Sequence, residues 1–186
     1  MKCAVVLVEN RNFGLSEIVD RHKKFLPFSW DVIIYEEEKI NSLHDYNKLL
    51  TSVDFWERLY EYEKVLIIQH DSSLLRFGIE EFLEYDYIGA PWMFQNKGGN
   101  GGLSLRTPSV MIKCLSKFPY SAEYGNEDVY FSNMIEKVGG KLAPREVCFK
   151  FSCETIYRLG TFGYHAIEKY MTNEQVKTIK EQYNAA

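Results

Sequence analysis

The sequence is poor in the residues that mark disulfide-stabilised, membrane-spanning and polyanion-binding proteins. Its 186 residues include only four cysteines, with no Cys-x-x-Cys pair, so neither a disulfide nor a zinc framework is indicated. No apolar run reaches the roughly 20 residues that cross a bilayer. Acidic residues outnumber basic residues by 26 to 22, which disfavours nucleic acid as a partner. We therefore expect no transmembrane segment and a cytoplasmic protein, either free or peripheral at a membrane.

The remaining composition is that of a folded globular chain. Hydrophobic residues make up 46% and charged residues 26%, which disfavours intrinsic disorder. A length of 186 residues suits one domain, and we predict a single domain over residues 1–186. The cysteines are expected to be free thiols, and the spacing of Cys148, Cys153 and His165 does not favour a metal site.

Short runs rich in Val and Ile alternate with segments of helical periodicity. The predicted strands cover 2–8, 30–35, 64–69, 85–92 and 103–106. The predicted helices cover 14–26, 45–62 in one or two pieces, 79–84, 108–117, 127–138 and 173–183, with Thr107 and Asn126 as caps. Residues 97–102 and 160–165 are predicted to be loops. This alternation predicts an α/β fold with a mostly parallel central sheet flanked by helices.

Polar residues follow the buried strand predicted at 64–69. Ligands of such sheets bind beyond the carboxyl ends of the strands, where Gln69, His70 and Asp71 are expected. An acid at the tip of a buried strand is held rigidly and is partly desolvated, so Asp71 suits a divalent cation beside a diphosphate. The alternative is turn chemistry, since Asp71 precedes two serines.

Glycines, carboxylates and a late histidine supply further candidates. Four glycines fall within 98–102, which forms either a backbone wall that a sugar or phosphate approaches closely or a plain loop. Glu127 and Asp128 open a predicted helix, where they either compensate the helix dipole or provide a general base. His165, in a segment bracketed by glycines, is either a packed histidine or a ligand.

Five motifs in one chain order carry a family resemblance. They read QHDS from residue 69, YDYIGAPW from 85, GNGGLSLR from 99, NEDV from 126 and FGYH from 162. With them the sequence resembles the GT-A class of nucleotide-sugar-dependent glycosyltransferases, and more narrowly a small family of GT-A-like proteins marked by these motifs. The resemblance covers residues 5 to about 165 and implies a GT-A-like three-layer sandwich.

The resemblance implies roles for individual positions. Asp71 matches the last acid of the Asp-x-Asp motif, which binds a cation, commonly Mn²⁺ (or Mg²⁺), while Gln69 stands where the first acid would be. His165 matches a late histidine that is another metal ligand. Asp128 matches the catalytic base, and Glu127 the preceding acid, which contacts sugar hydroxyls. The donor-binding positions carried over are Glu9, Arg11, Gln69, His70, Gly101 and Gly102.

These roles imply an enzyme of polysaccharide biosynthesis. It would transfer a sugar from a nucleoside-diphosphate donor to a carbohydrate or lipid-linked acceptor hydroxyl, with metal assistance and inversion at the anomeric carbon. The alternative is a catalytically silent GT-A-shaped module that binds nucleotide sugars or glycans. A nucleotidyltransferase would need a basic glycine loop near the N-terminus, where the segment 9–14 has one glycine and one arginine. A homodimer is one option for completing the cleft.

Overall fold

The computed structural model describes residues 1–9, 14–35 and 40–185. The strands of the main sheet are β1 (Cys3–Val8), β2 (Asp31–Tyr35), β3 (Lys64–Ile68), β5 (Tyr87–Ala90) and β6 (Asn100–Arg106). A smaller sheet is formed by β4 (Ser72–Leu74), β7 (Ser152–Cys153) and β8 (Gly163–His165). The helices are α1 (Leu15–Lys23), α2 (Leu43–Leu50), α3 (Val53–Glu57), α4 (Pro108–Lys117), α5 (Glu127–Met134), α6 (Arg145–Phe151) and α7 (Asn173–Ala185).

Within the described ranges, the five strands of the main sheet lie in the order β2-β1-β3-β6-β5. Strand β1 pairs in parallel with both β2 and β3, whereas β6 runs antiparallel to β3 and to β5. Strands β1, β2, β3 and β5 therefore share one direction, and β6 is reversed. The prediction of a mostly parallel central sheet is confirmed.

Helices cover both faces of this sheet, which explains why its central strands are apolar throughout. Alternate residues of a strand face opposite sides, and all six residues of β1 are buried. Cys3, Val5 and Leu7 join a core cluster that includes residues of α1 and α6. Ala4, Val6 and Val8 join a second cluster with residues of α2 to α5. The α/β three-layer sandwich predicted from the sequence is confirmed.

The smaller sheet joins two distant parts of the chain beside the end of β3. Strand β4 follows β3 after a short turn and pairs antiparallel with β8, with Ser72 opposite His165. The backbone N–H of Ala166 donates to the carbonyl of Asp71 at 3.0 Å, which extends this pairing by one step. The pairing therefore brings His165 next to Asp71, 94 residues away in sequence.

Both predicted loops proved wrong in part. Strand β6 begins at Asn100, which lies opposite Ala90 of β5, and β8 covers the end of the segment 160–165. Glycine-rich sequence resembles loop sequence because glycine offers no side chain to pack, yet here Gly101 and Gly102 continue the ladder where neighbouring side chains leave no room for a Cβ.

Thr107 and Asn126 are the N-cap residues of α4 and α5, as predicted, but neither side chain makes a capping hydrogen bond. The hydroxyl of Thr107 donates to Asp86 Oδ1 at 2.8 Å. In the part of the chain that the structure describes, no helix is both long enough and apolar enough to cross a membrane.

Candidate active site at the carboxyl ends of the parallel strands

A cleft of about 700 Å³ opens beyond the carboxyl ends of β1 and β3, beside the starts of β6 and α5. Most of the site residues predicted from the sequence line it, namely Glu9, Gln69, Asp71, Gly101, Gly102, Glu127, Asp128 and His165. His70 is not among the residues lining the cleft, and its Nδ1 lies 2.9 Å from Oε2 of the buried Glu9. Arg11 lies outside the described residues.

One end of the cleft holds a cluster centred on the His165 imidazole, which we call the histidine cluster: Gln69, Asp71, Glu154 and His165. His165 Nε2 lies 3.0 Å from Gln69 Oε1 and 3.3 Å from Asp71 Oδ1. His165 Nδ1, on the other side of the ring, lies 3.3 Å from Glu154 Oε1. Gln69 Oε1 and Asp71 Oδ1, from the turn after β3, therefore lie close to His165 Nε2 of β8. The Glu154 carboxylate lies on the opposite side of the imidazole ring.

The histidine cluster is strongly coupled electrostatically. Burial alone would lower the pKa of His165, but its interactions with Asp71 and Glu154 outweigh burial and raise this pKa to about 9. Burial alone would raise the pKa of Asp71, but its interaction with His165 lowers it to about 2. In the absence of a cation, a protonated His165 lies between the carboxylates of Asp71 and Glu154 and offsets part of their negative charge.

The same donor set fits a divalent cation in place of that proton. Asp71 Oδ1 is buried, and its partner is His165 Nε2 at 3.3 Å, so a cation that replaces the proton between them would find both atoms available as ligands. Carboxylate and amide oxygens with one imidazole nitrogen suit Mn²⁺ or Mg²⁺, and a carboxylate behind a metal-bound histidine is a common way to orient it. Among the described residues, no three His, Cys, Asp or Glu side chains are grouped so that they could hold a metal ion. A cation bound here would take its third protein ligand from Gln69 Oε1, which lies 3.0 Å from His165 Nε2.

The turn after β3 is stabilised by hydrogen bonds that involve Ser72 and His22. Ser72 Oγ donates to the carbonyl of Gln69 at 2.8 Å, accepts from its N–H at 3.1 Å, and lies 3.0 Å from His22 Nε2. Burial lowers the pKa of His22 to about 3, so this histidine is neutral near pH 7. The side-chain hydrogen bonds that stabilise this turn are therefore made by Ser72. The Asp71 carboxylate lines the cleft instead.

Two glycines at the start of β6 make room for the side chains of the site. A Cβ on Gly102 would lie 2.2 Å from His165 Nε2. A Cβ on Gly101 would lie 2.2 Å from Glu127 Oε1 and 2.6 Å from Arg106 Nη2. All three distances are far below van der Waals contact, so each glycine lets a functional side chain pack directly against the backbone of β6.

Asp128, in the first turn of α5, lies in the cleft at the start of β6. Its Oδ2 accepts from the N–H of Gly101 at 3.2 Å, and its Oδ1 accepts from the N–H of Val129 at 2.8 Å. Burial and the neighbouring Glu127 raise the pKa of Asp128 to about 7, against the two N–H donors. A carboxylate with this pKa can accept a proton near neutral pH.

Glu127 is held by a buried arginine. Arg106 Nη1 and Nη2 donate to its two carboxylate oxygens at 2.5 and 2.9 Å, and neither residue is more than 2% exposed. The guanidinium also lies 4.8 Å from the centre of the Tyr87 ring. This bidentate pair ties β6 to the first turn of α5 and thereby fixes the direction of Asp128. Contact between Glu127 and sugar hydroxyls stays a prediction.

The start of α5 is capped from another helix. Asn47 Oδ1, in α2, accepts from the N–H of Glu127 at 3.0 Å, and Asn47 Nδ2 donates to Asn126 Oδ1 at 3.1 Å. An orphan N–H of the first turn is thus satisfied by a side chain that is distant in sequence. Asn126 is the N-cap residue, as predicted, but the capping hydrogen bond comes from Asn47, a partner that cannot be recognised from sequence alone.

Sequence reasoning missed four residues that shape this cleft: Tyr46, Asn47, Arg106 and Glu154. Each belongs to the site through parts of the chain that are distant in sequence, and no local motif marks Tyr46, Asn47 or Glu154. The nearest available signal was the position of Arg106 at the end of the GNGGLSLR motif.

Comparisons with known proteins give a family and a fold. The family described as "Protein of unknown function (DUF5672)" matches residues 29–165. No curated protein sequence matches the chain. The chain has the fold of a glycosyltransferase involved in the glycosylation of the major capsid of PBCV-1, with a TM-score of 0.58, 10% identity and 98% of each chain covered.

Two other solved structures give lower TM-scores. The protein A197 from STIV gives a TM-score of 0.49 at 14% identity, over 73% of this chain and 78% of that one. The apo form of the glycosyltransferase GlyE from Streptococcus pneumoniae TIGR4 gives a TM-score of 0.40 at 16% identity, over 74% of this chain and 42% of that one.

Proposed function

The chain belongs to the DUF5672 family of proteins of unknown function, and we propose that it is a metal-dependent glycosyltransferase. It would use a nucleoside-diphosphate sugar as donor and the hydroxyl of a carbohydrate or lipid-linked molecule as acceptor. The observation that carries the proposal is that one cleft holds both a set of side chains whose chemistry suits a cation and a candidate base. The histidine cluster lies at one end of the cleft, and Asp128 lies beside the start of β6. The shared fold with a glycosyltransferase supports it.

The histidine cluster would hold the donor diphosphate through a cation. Asp71 Oδ1, Gln69 Oε1 and His165 Nε2 would be its protein ligands, and Glu154 would accept the Nδ1–H of His165 and orient the ring. A bound Mn²⁺ or Mg²⁺ supplies positive charge beside the leaving diphosphate. The rim adds Lys169, an exposed residue whose ammonium can approach the phosphates.

Asp128 would accept the proton of the acceptor hydroxyl. The acceptor oxygen forms a bond to the anomeric carbon as the bond from that carbon to the diphosphate oxygen breaks. The hydroxyl proton passes to Asp128, and the nucleoside diphosphate leaves with the bonding electrons. Gly101 and Val129 N–H groups hold the carboxylate in place. Attack from the face opposite the leaving group inverts the anomeric centre.

Release of nucleoside diphosphate from a panel of nucleotide sugars tests the proposal. We expect release with at least one donor in the presence of Mn²⁺, loss on chelation, and recovery with excess Mn²⁺. Glu154→Gln should weaken the apparent Mn²⁺ affinity by about 10–100-fold, as expected when the partner of a metal-bound histidine is changed. Glu136→Gln, which alters an exposed ion pair with Lys97, is the matched control and should change nothing.

The result that would overturn this function is specific. If nucleotide sugars bind in the cleft but no donor releases diphosphate with water or any acceptor, the protein is a binding module of the same fold. If none binds with or without metal, the cleft has another ligand.

A further inference from the structure

Tyr46 is a buried residue of α2 that lines the cleft and was absent from every motif. Only 8% of the residue is exposed, and its hydroxyl oxygen is buried and meets no described residue in hydrogen-bond geometry, although the Gln69 side chain is close enough to lower its pKa. Buried tyrosine hydroxyls usually find a hydrogen-bond partner. An unpaired hydroxyl facing a cleft therefore indicates that a ligand supplies the missing acceptor.

The phenol lines the cleft and is influenced by charged and polar groups from both of its functional ends. Burial and the Glu127 carboxylate raise the pKa of Tyr46 above its ordinary value, Asp128 adds to this, and Arg106 and Gln69 oppose it. The hydroxyl is thus within electrostatic reach of both the histidine cluster and the base. It remains protonated near neutral pH and can donate a hydrogen bond.

In the function proposed above, the transferred sugar must bridge these two ends. Its anomeric carbon is linked to the diphosphate on one side and is attacked by the acceptor oxygen beside Asp128 on the other. The protein groups around this position include the carboxylates of Glu127 and Asp128, and the guanidinium of Arg106 is already engaged by Glu127. A carboxylate on the sugar would face like charges here.

We propose, resting on that function, that Tyr46 is a sugar-binding residue whose hydroxyl donates a hydrogen bond to a hydroxyl group of an uncharged transferred sugar. The substrate class is therefore a nucleoside diphosphate linked to a neutral sugar. A sugar that carries a carboxylate is disfavoured.

Binding measurements with and without the sugar test this role. UDP-glucose, UDP-galactose, UDP-N-acetylglucosamine, GDP-mannose and UDP-glucuronate are titrated with Mn²⁺ into the wild-type protein, and the tightest donor is compared with the same nucleoside diphosphate alone. We expect a neutral donor to bind tightest. Tyr46→Phe should then raise the Kd of that donor by about 3–10-fold, the range for one neutral hydrogen bond, and leave the Kd of the free diphosphate unchanged.

Tyr62→Phe is the matched control. Tyr62 is also 8% exposed, but it lies outside the cleft lining and its hydroxyl donates to Asp31 Oδ2 at 3.1 Å. This variant should leave both Kd values unchanged. Because the Tyr46 hydroxyl has no partner to lose, Tyr46→Phe should unfold at the same temperature as the wild type or higher, whereas Tyr62→Phe should unfold at a lower temperature.

The outcomes separate this inference from the function on which it rests. If the wild type binds a neutral donor and Tyr46→Phe binds it equally well, or loses the free diphosphate to the same degree, Tyr46 does not contact the sugar. Tightest binding of UDP-glucuronate would overturn the neutral substrate class. If the wild type binds no nucleotide sugar, the proposed function itself fails.

Discussion

The Asp128 carboxyl has a raised pKa and a side-chain orientation fixed by two N–H groups. Its proposed role as the base can be tested through the pH dependence of the transfer rate. A base with a pKa of about 7 is mostly protonated below that value and mostly ionised above it, so the rate of transfer should rise with pH and level off above about 7. Asp128→Asn should lower kcat by about 10²–10⁴-fold. Steady-state rates from pH 5.5 to 8.5 measure both. Near-wild-type turnover by Asp128→Asn, with the rise intact, would exclude Asp128 as the base.

The same carboxyl should destabilise the folded protein at alkaline pH. Its pKa is higher in the folded protein than in the unfolded chain, so its stabilising contribution is complete below about 4 and is lost as pH rises to about 7. Asp128→Asn removes this loss. The variant should therefore gain about 1–4 kcal/mol in free energy of unfolding at pH 8, and less at pH 5.

Urea unfolding of the ligand-free protein at the two pH values measures this gain. Asp45→Asn is a control whose effect should have the opposite sign. Hydrogen bonding from Ser42 lowers the pKa of Asp45, so this variant should lose free energy of unfolding where Asp128→Asn gains it. An equal effect of Asp128→Asn at both pH values would mean that the carboxyl does not titrate with folding.

Strand β6 and its partners show what sequence patterns can specify at the scale of an element. The strands at Cys3–Val8, Asp31–Tyr35 and Lys64–Ile68 were predicted to within two residues at either end, because each is a continuous apolar run. The first and third are buried on both faces, whereas the edge strand Asp31–Tyr35 is partly exposed. The start of β6 was not predicted. Its glycines leave space for side chains of β8 and α5, and these partners are distant in sequence.

The candidate site also contains some residues that local sequence patterns predict and others that they do not. Gln69, Asp71 and Asp128 stand at a strand end or a helix start, where local patterns place them, and they line one cleft as expected. Glu154 and Tyr46 belong to the site only because of how β7, β8 and α2 pack. Tertiary contacts of this kind leave no periodic or motif signal in a single sequence.

Close packing of β6 against β8 predicts the effect of one added methyl group. In Gly102→Ala the new Cβ would overlap the His165 ring and displace it from Asp71 and Gln69. We expect loss of measurable Mn²⁺ binding together with a destabilisation of about 1–3 kcal/mol. Isothermal titration with Mn²⁺ and urea unfolding measure the two effects.

Gly139→Ala separates these effects. Gly139 has a φ of 80°, and an added Cβ would meet no atom within 4 Å. This substitution should lower stability through backbone strain without changing Mn²⁺ binding. Unchanged Mn²⁺ affinity in Gly102→Ala would show that the histidine cluster does not bind the cation.

At the scale of the whole molecule, the cleft is built from both sheets and from α2 and α5, so a bound ligand should stabilise the fold as a unit. Its described lining includes five carboxylates, from Glu9, Asp71, Glu127, Asp128 and Glu154. Glu127 pairs with Arg106, Asp71 and Glu154 share His165, and Glu9 lies 2.9 Å from His70 Nδ1. Arg106 and a protonated His165 therefore offset only part of this charge. A nucleoside diphosphate is itself negative and should bind poorly unless a cation enters with it.

Thermal unfolding tests this linkage between cation and donor. A donor at about 100 times its Kd adds roughly 2.7 kcal/mol, and a chain of this size gains about 2–4 °C per kcal/mol, so Tm should rise by about 5–10 °C with Mn²⁺ present. With chelator, or in Asp71→Asn, the same donor should shift Tm by less than about 1 °C. An equal rise without metal would mean that the negative cleft accepts the diphosphate unaided, and the charge balance inferred for Asp71 and His165 would then be wrong.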